Sequence, residues 1–126
     1  MKEIEKISGE NIGLIIVDSA TSFYRFELDS DEASIKARRE LSNQIGFLHS
    51  LARKYNIVVV ITNQVYTDVV SGVFKPIGGA GIEHISKTII QLERTGNGTR
   101  RAKLWKHRSQ PEGETCEFTI TGDGVR

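Results

Sequence analysis

A single cysteine, Cys116, excludes an internal disulfide framework in this chain of 126 residues, and its neighbours Glu114, Glu117 and Phe118 offer no metal-ligand spacing. No apolar stretch approaches the roughly 20 residues that a membrane-spanning helix needs, and the Met1-Lys2-Glu3 start lacks the shape of a signal peptide. Neither sign of charge is in excess. Charged residues make up 26% of the chain yet leave a net charge of +1, which argues neither for nor against a polyanionic partner. Internal repeats and low-complexity segments are absent. So is the phosphate-cradling pattern Gly-x-x-x-x-Gly-Lys-Ser/Thr, and with it the lysine and hydroxyl that grip nucleotide phosphates and magnesium. The expectation left by these absences is one soluble domain in a reducing, cytoplasmic compartment, with no membrane partner.

What is present begins with Gly13-Leu-Ile-Ile-Val-Asp18. Ile15, Ile16 and Val17 fill successive positions, which suits a strand buried on both faces of a parallel sheet. Asp18 then stands at the strand's carboxyl end, where such sheets bind ligands. Residues 19–31 mix hydroxyls, aromatics and charges and read as a surface loop. Next, Ile35, Leu41, Ile45, Leu48, Ala52 and Tyr55 recur mostly at spacings of three and four, giving an amphipathic helix of about six turns. Residues 57–62 form a second β-branched run, ending in Asn63-Gln64, so strand, helix and strand make a right-handed βαβ unit.

Beyond it, residues 65–81 lose periodicity and gain Gly72, Pro76, Gly78, Gly79 and Gly81, which predicts a long functional or mobile loop. Residues 87–93 and 100–107 flank Thr95-Gly96-Asn97-Gly98-Thr99 and predict a β-hairpin. Residues 115–121 alternate as a third antiparallel strand, with Cys116, Phe118 and Ile120 on one face, and residues 122–126 read as a frayed tail. Charge is unevenly spread along this order. Residues 1–40 carry nine acids against six Lys/Arg, whereas residues 94–108 hold six Lys/Arg, His107 and no acid, so an anion would be met there first.

A carboxylate ending a buried strand can hold a magnesium-bound water beside nucleotide phosphates. Asp18 can equally make a turn hydrogen bond with Ser19 or Ala20. Gln64, at the end of the adjacent strand, brings an amide near it that can accept from a polarised water while donating to a phosphate oxygen, or else anchor the loop that follows. Arg101, Lys103, Trp105 and His107 alternate onto one face, with Ala102 and Leu104 on the other. A basic face beside an indole binds nucleic acid by charge and stacking, or is a solvated sheet face neutralised by acids such as Glu117.

Taken in order, Gly13-Leu-Ile-Ile-Val-Asp-Ser19, Phe23-Tyr-Arg25, Ile61-Thr-Asn-Gln-Val65, Pro76-Ile-Gly-Gly79 with His84, and Pro111-Glu-Gly113 followed by Phe118-Thr-Ile-Thr121 resemble RecA/RadA-type recombinase cores. The short second loop with Glu83-His-Ile-Ser86 and the segment Lys106-His-Arg-Ser109 are most similar to the archaeal RadA paralogues. The resemblance implies an α/β fold: a partial RecA-like core, with a parallel βαβ unit followed by an antiparallel hairpin and a C-terminal strand. It makes Asp18 the Walker B acid, holding the magnesium of Mg-ATP through water, and Gln64 the residue that couples phosphate state to the loop behind it. Residues 22–34 and 65–79 become the two DNA-facing loops. Within them Arg25 and Lys75 are implied phosphate contacts and Tyr24, Phe26 or Phe74 base contacts, with Arg101 and Lys103 as a further basic face. Lys106 and Arg108 are similar to the lysine and arginine that ring-forming relatives supply in trans against charge on the γ-phosphate. Ala80 departs from the family pattern, which carries a polar residue there, and His84 is read as a satisfied histidine at an element's end.

The function implied is that of a DNA repair and homologous recombination protein that binds ATP and DNA, of which these 126 residues form the C-terminal portion of a RecA-like domain. ATP and Mg2+ are the cofactors expected of the complete protein. The expected partners are single-stranded DNA and either a second copy or a RadA-like recombinase. The opposing expectations are a stand-alone DNA-binding or protein-interaction module, and a regulatory, ring-forming RecA-like ATPase.

Overall fold

The computed structural model describes residues 11–22 and 31–126, so the expected contacts Tyr24, Arg25 and Phe26 lie outside the described residues. The chain divides into two compact units, Met1–Ile85 and Ser86–Arg126.

In the first unit, β1 (Leu14–Val17) and β2 (Val58–Ile61) pair in parallel, with Leu14 opposite Val58 and Val17 opposite Ile61. Between them runs α1 (Asp31–Tyr55). Its apolar stripe buries Leu41, Ile45, Leu48 and Leu51, each contributing about 1.5–3 kcal/mol through lost contact with water. Ile35, expected on that stripe, is 61% exposed. The helix ends by rule: Asn56 takes a left-handed φ of 53° and the Ile57 N–H donates to the Ala52 carbonyl at 3.1 Å, closing a Schellman turn. Arg53 and Lys54 in the last turn complement the helix dipole.

Among the described residues the expectation of strands buried on both faces is met on one side only. Leu14, Ile16, Val58 and Val60 are all at least 44% exposed, while Ile61 packs towards Leu41 and Ile45 of the helix. A two-stranded sheet covered on one side leaves its other side bare, so the continuous apolar runs describe a demand for two-sided cover that the described residues meet on one side.

Residues 65–81 are also more ordered than their composition suggests. β3 (Val65–Thr67) and β4 (Phe74–Pro76) form an antiparallel hairpin with Tyr66 opposite Lys75. The short helix α2 (Ala80–Ile85) follows, and its buried Ile82 joins Ala20, Leu41 and Ile45 in one apolar cluster. Strands of three residues are too short to display a period, which is why the sequence pattern missed them.

The second unit is an antiparallel sheet in the order β5 (Ile89–Gly96), β6 (Thr99–Lys106), β7 (Thr115–Thr121) and β8 (Gly124–Val125). Asn97 and Gly98, with φ of 50° and 79°, supply the two positive dihedrals that a tight β5–β6 turn needs. Residues 122–126 are not a frayed tail. Gly122-Asp123 turns the chain back so that Ile120 faces Val125, and Thr119 and Arg126 exchange backbone hydrogen bonds of 2.7 and 3.0 Å. No helix among the described residues is long and apolar enough to cross a membrane.

Candidate functional site

The parallel register fixes the site. Continuing Val17 opposite Ile61 by one residue sets Asp18 beside Thr62, and the Thr62 hydroxyl donates to Asp18 Oδ1 at 2.5 Å. The backbone reinforces this pairing: Thr62 N–H donates to the Val17 carbonyl at 3.0 Å and Ala20 N–H to the Thr62 carbonyl at 2.9 Å. The Asp18–Ser19 peptide bond is cis. Ser19 and Ser22 then close the turn through their hydroxyls at 2.8 Å. Asp18 therefore makes its side-chain bond across the sheet to Thr62, in place of the local turn bond that its sequence neighbours offered.

Such a carboxylate is exposed at the strand's end, with one oxygen oriented by a hydroxyl. It suits acceptance from a water on a hard cation, since magnesium keeps most of its waters and needs only one or two carboxylates. No cluster of three His, Cys, Asp or Glu that could hold a metal ion occurs among the described residues.

From Thr62 the same segment reaches the second loop. Asn63 Nδ2 donates to the Ile77 carbonyl at 2.7 Å, and Ile77 N–H donates to the Gln64 carbonyl at 2.9 Å, so residues 63 and 64 staple the base of the β3–β4 hairpin. The Gln64 side chain is exposed. Asn63 Oδ1 is buried and takes no hydrogen bond among the described residues.

The hairpin itself is organised by Asp68. Its Oδ1 accepts from Val70 N–H and Ser71 N–H, both at 3.0 Å, and its Oδ2 is 2.5 Å from Lys75 Nζ. Val69 and Val70 at the tip are each 99% exposed, and Tyr66 and Phe74 are about half exposed. The Lys75 hydrogen bond first, then the Ser71 and Val70 amides, hold the Asp68 carboxyl well below the usual carboxylate range, and Asp68 in turn raises Lys75. A lowered carboxyl stabilises the hairpin at every pH above its unfolded value and stops doing so only as pH falls through the folded one; a raised lysine does so below its own unfolded value. The Asp68 13Cγ resonance is therefore expected to stay fixed as pH falls from 7 through about 4, and Lys75→Met is expected to bring its midpoint back towards ~3.9. A wild-type midpoint near that ordinary value would contradict the pairing.

In the second unit Arg101 lies between two carboxylates, 3.1 Å from Glu117 and 3.8 Å from Glu93, which is the neutralised sheet-face arrangement. Lys103 is exposed on the same face, opposite Gln91 and Thr115. His107 Nδ1 accepts from the Ser109 and Gln110 N–H groups at 3.1 and 3.0 Å, which turns the chain between half-buried Lys106 and exposed Arg108. Thus the structure joins Asp18 with the segment that carries Gln64, and Lys75 with its hairpin. Thr62 and Asp68 were not singled out from sequence; aligning the two strand ends would have found Thr62, and an acid opening a Ser-Gly turn was the signal for Asp68.

A model of the Rad51 family matches residues 1–126. The chain is 75% identical over 126 residues to the DNA repair and recombination protein RadB of Methanococcoides burtonii, covering 100% of this chain and 56% of that protein. It is 51% identical to the protein of the same description from Archaeoglobus fulgidus, covering 99% of this chain and 57% of that one. A crystal structure of the RadB recombinase superposes with a TM-score of 0.73 at 34% identity, covering 98% of this chain and 56% of that chain. The chain thus spans just over half the length of the curated relatives it matches.

Proposed function

This chain belongs to the Rad51 family, and from that premise we propose that it acts in DNA repair and homologous recombination as a RadB-type, ATP- and DNA-binding protein. The observation that carries this is the Asp18–Thr62 pair at the carboxyl end of β1, leading within two residues to the hairpin of the second loop. In this reading the 126 residues are the C-terminal part of a RecA-like domain, and the phosphate-gripping pattern absent from them is supplied by further polypeptide. The relatives' greater length supports it.

Asp18 would hold the magnesium of Mg-ATP through water, with Thr62 keeping the carboxylate aimed. When bound, that ion supplies charge compensation at the phosphates. Gln64 would read the phosphate state from the strand's end and pass it to the hairpin whose base its own carbonyl staples. Arg108, exposed beyond the His107 turn, and Lys106 would approach a neighbouring subunit's nucleotide. Single-stranded DNA would run over Tyr24 and Arg25 of the first loop and Phe74 and Lys75 of the second. Arg101 ranks below them because Glu93 and Glu117 already occupy it, and Lys103 is left as the face's outer cation. Further polypeptide completing the domain would cover the bare sheet face of Leu14, Ile16, Val58 and Val60, and the whole protein would self-associate or dock on a RadA-like recombinase.

Oligonucleotide binding tests this directly. Arg25→Ala with Lys75→Ala is expected to weaken single-stranded DNA binding and to reduce the slope of log affinity against log salt by about 1.4, at ~0.7 for each contact. Unchanged affinity and slope would remove both loops from the DNA site.

A further inference from the structure

We propose that Asp68 is an internal stand-in for a nucleic-acid phosphate: its carboxylate holds the Lys75 ammonium that a backbone phosphate would otherwise engage, so the hairpin is closed on itself until a polyanion displaces it. This rests on the DNA-binding reading of the same hairpin and adds to it a competitor built into the fold.

The register makes the contact. Thr67 faces Phe74, so Asp68 lies across from Val73 and diagonal to Lys75, within reach of a long side chain on the same face. The two carboxylate oxygens divide their tasks. Oδ1 shapes the tip by accepting from Val70 and Ser71, whereas Oδ2 meets Lys75. Lys75 is nonetheless 48% exposed in its side chain, so an incoming phosphate can reach the same ammonium from solvent. An exposed ion pair of this kind is weak in water and screened by salt, which makes exchange of one oxyanion for another feasible. Shaping and shielding are therefore separable by chemistry. Asparagine keeps an Oδ1 acceptor for the two amides and replaces Oδ2 with an uncharged NH2 donor that cannot accept from Lys75.

The test uses the full chain, with a single-stranded oligothymidylate as the probe, Asp68→Asn, Lys75→Met and the double variant, and amide spectra of residues 65–76. Asp68→Asn is expected to bind about threefold to tenfold more tightly at low salt, with an advantage that shrinks as salt screens the Asp68–Lys75 pair in the wild type. In the Lys75→Met background the Asp68→Asn change is expected to have no effect. Weaker or unchanged binding by Asp68→Asn, with the amides of residues 65–76 still responding to the probe, would overturn the proposal while leaving the DNA reading intact. Loss of Val70 and Ser71 amide protection in Asp68→Asn would also overturn it, since the charge would then be needed to build the tip. Amides that ignore the probe in every variant would overturn the DNA reading of this hairpin, and the proposal with it.

Discussion

Replacing Gly78 with alanine is expected to destabilise the first unit by about 3 kcal/mol or more, from backbone strain and overpacking together. Gly78 sits at a φ of +100°, where an L side chain is strained. An added Cβ would stand 2.3 Å from Ile82 Cδ1 and 2.9 Å from Leu41 Cδ2. Ile82 and Leu41 are 5% and 1% exposed and belong to the cluster that binds α2 to α1, so neither side chain has room to retreat. Gly79 supplies the control. Its φ is +72° but nothing lies within 4 Å of an added Cβ, so Gly79→Ala is expected to cost only the left-handed strain, about 1–2 kcal/mol. Urea denaturation followed by helix signal measures both. Equal midpoints for the two variants would show that the close packing of Gly78 against Ile82 is not where the glycine pair contributes.

Asp18→Asn in the complete protein is expected to lower Mg-dependent nucleotide affinity roughly 100-fold, and Thr62→Val about tenfold, the range found for groups that act on a metal through intervening ligands. The asparagine keeps the Thr62 hydrogen bond but loses the charge that accepts from a magnesium-bound water. The valine keeps the shape of the strand end and loses the donor that aims Asp18. A merely structural threonine would leave affinity unchanged and lower stability alone. Titration calorimetry with and without magnesium separates the two, because binding measured without the ion is expected to be the same in wild type and both variants.

The elements that were legible in the sequence are those with a long local pattern. The β-branched runs of β1 and β2, the three-four spacing of α1 and the Asn97-Gly98 turn each announce themselves within one segment. β3, β4 and β8 did not, because strands of two or three residues carry no period and are held by their partners. The candidate site divides in the same way. Asp18 stood out as a charge ending an apolar run, whereas Thr62 acquires meaning only once Val17 is set opposite Ile61. Lys75 looked like a free cation for DNA because its partner, seven residues earlier, is brought to it by the hairpin register alone. Bare Leu14, Ile16, Val58 and Val60 follow from a two-stranded sheet, a count that no property of the strands themselves reveals.

The most direct test of a nucleotide site at Asp18 coupled to a DNA-facing hairpin is single-stranded oligonucleotide affinity of the complete protein, measured with and without Mg-ATP, in wild type and in Asp18→Asn. Coupling through Asp18, Thr62 and the residue 63–64 staple requires that Mg-ATP, at a concentration that loads the wild type but not Asp18→Asn, change the wild-type affinity and leave that of the variant unchanged. An Asp18→Asn protein whose DNA affinity responds to Mg-ATP as the wild type does would contradict it.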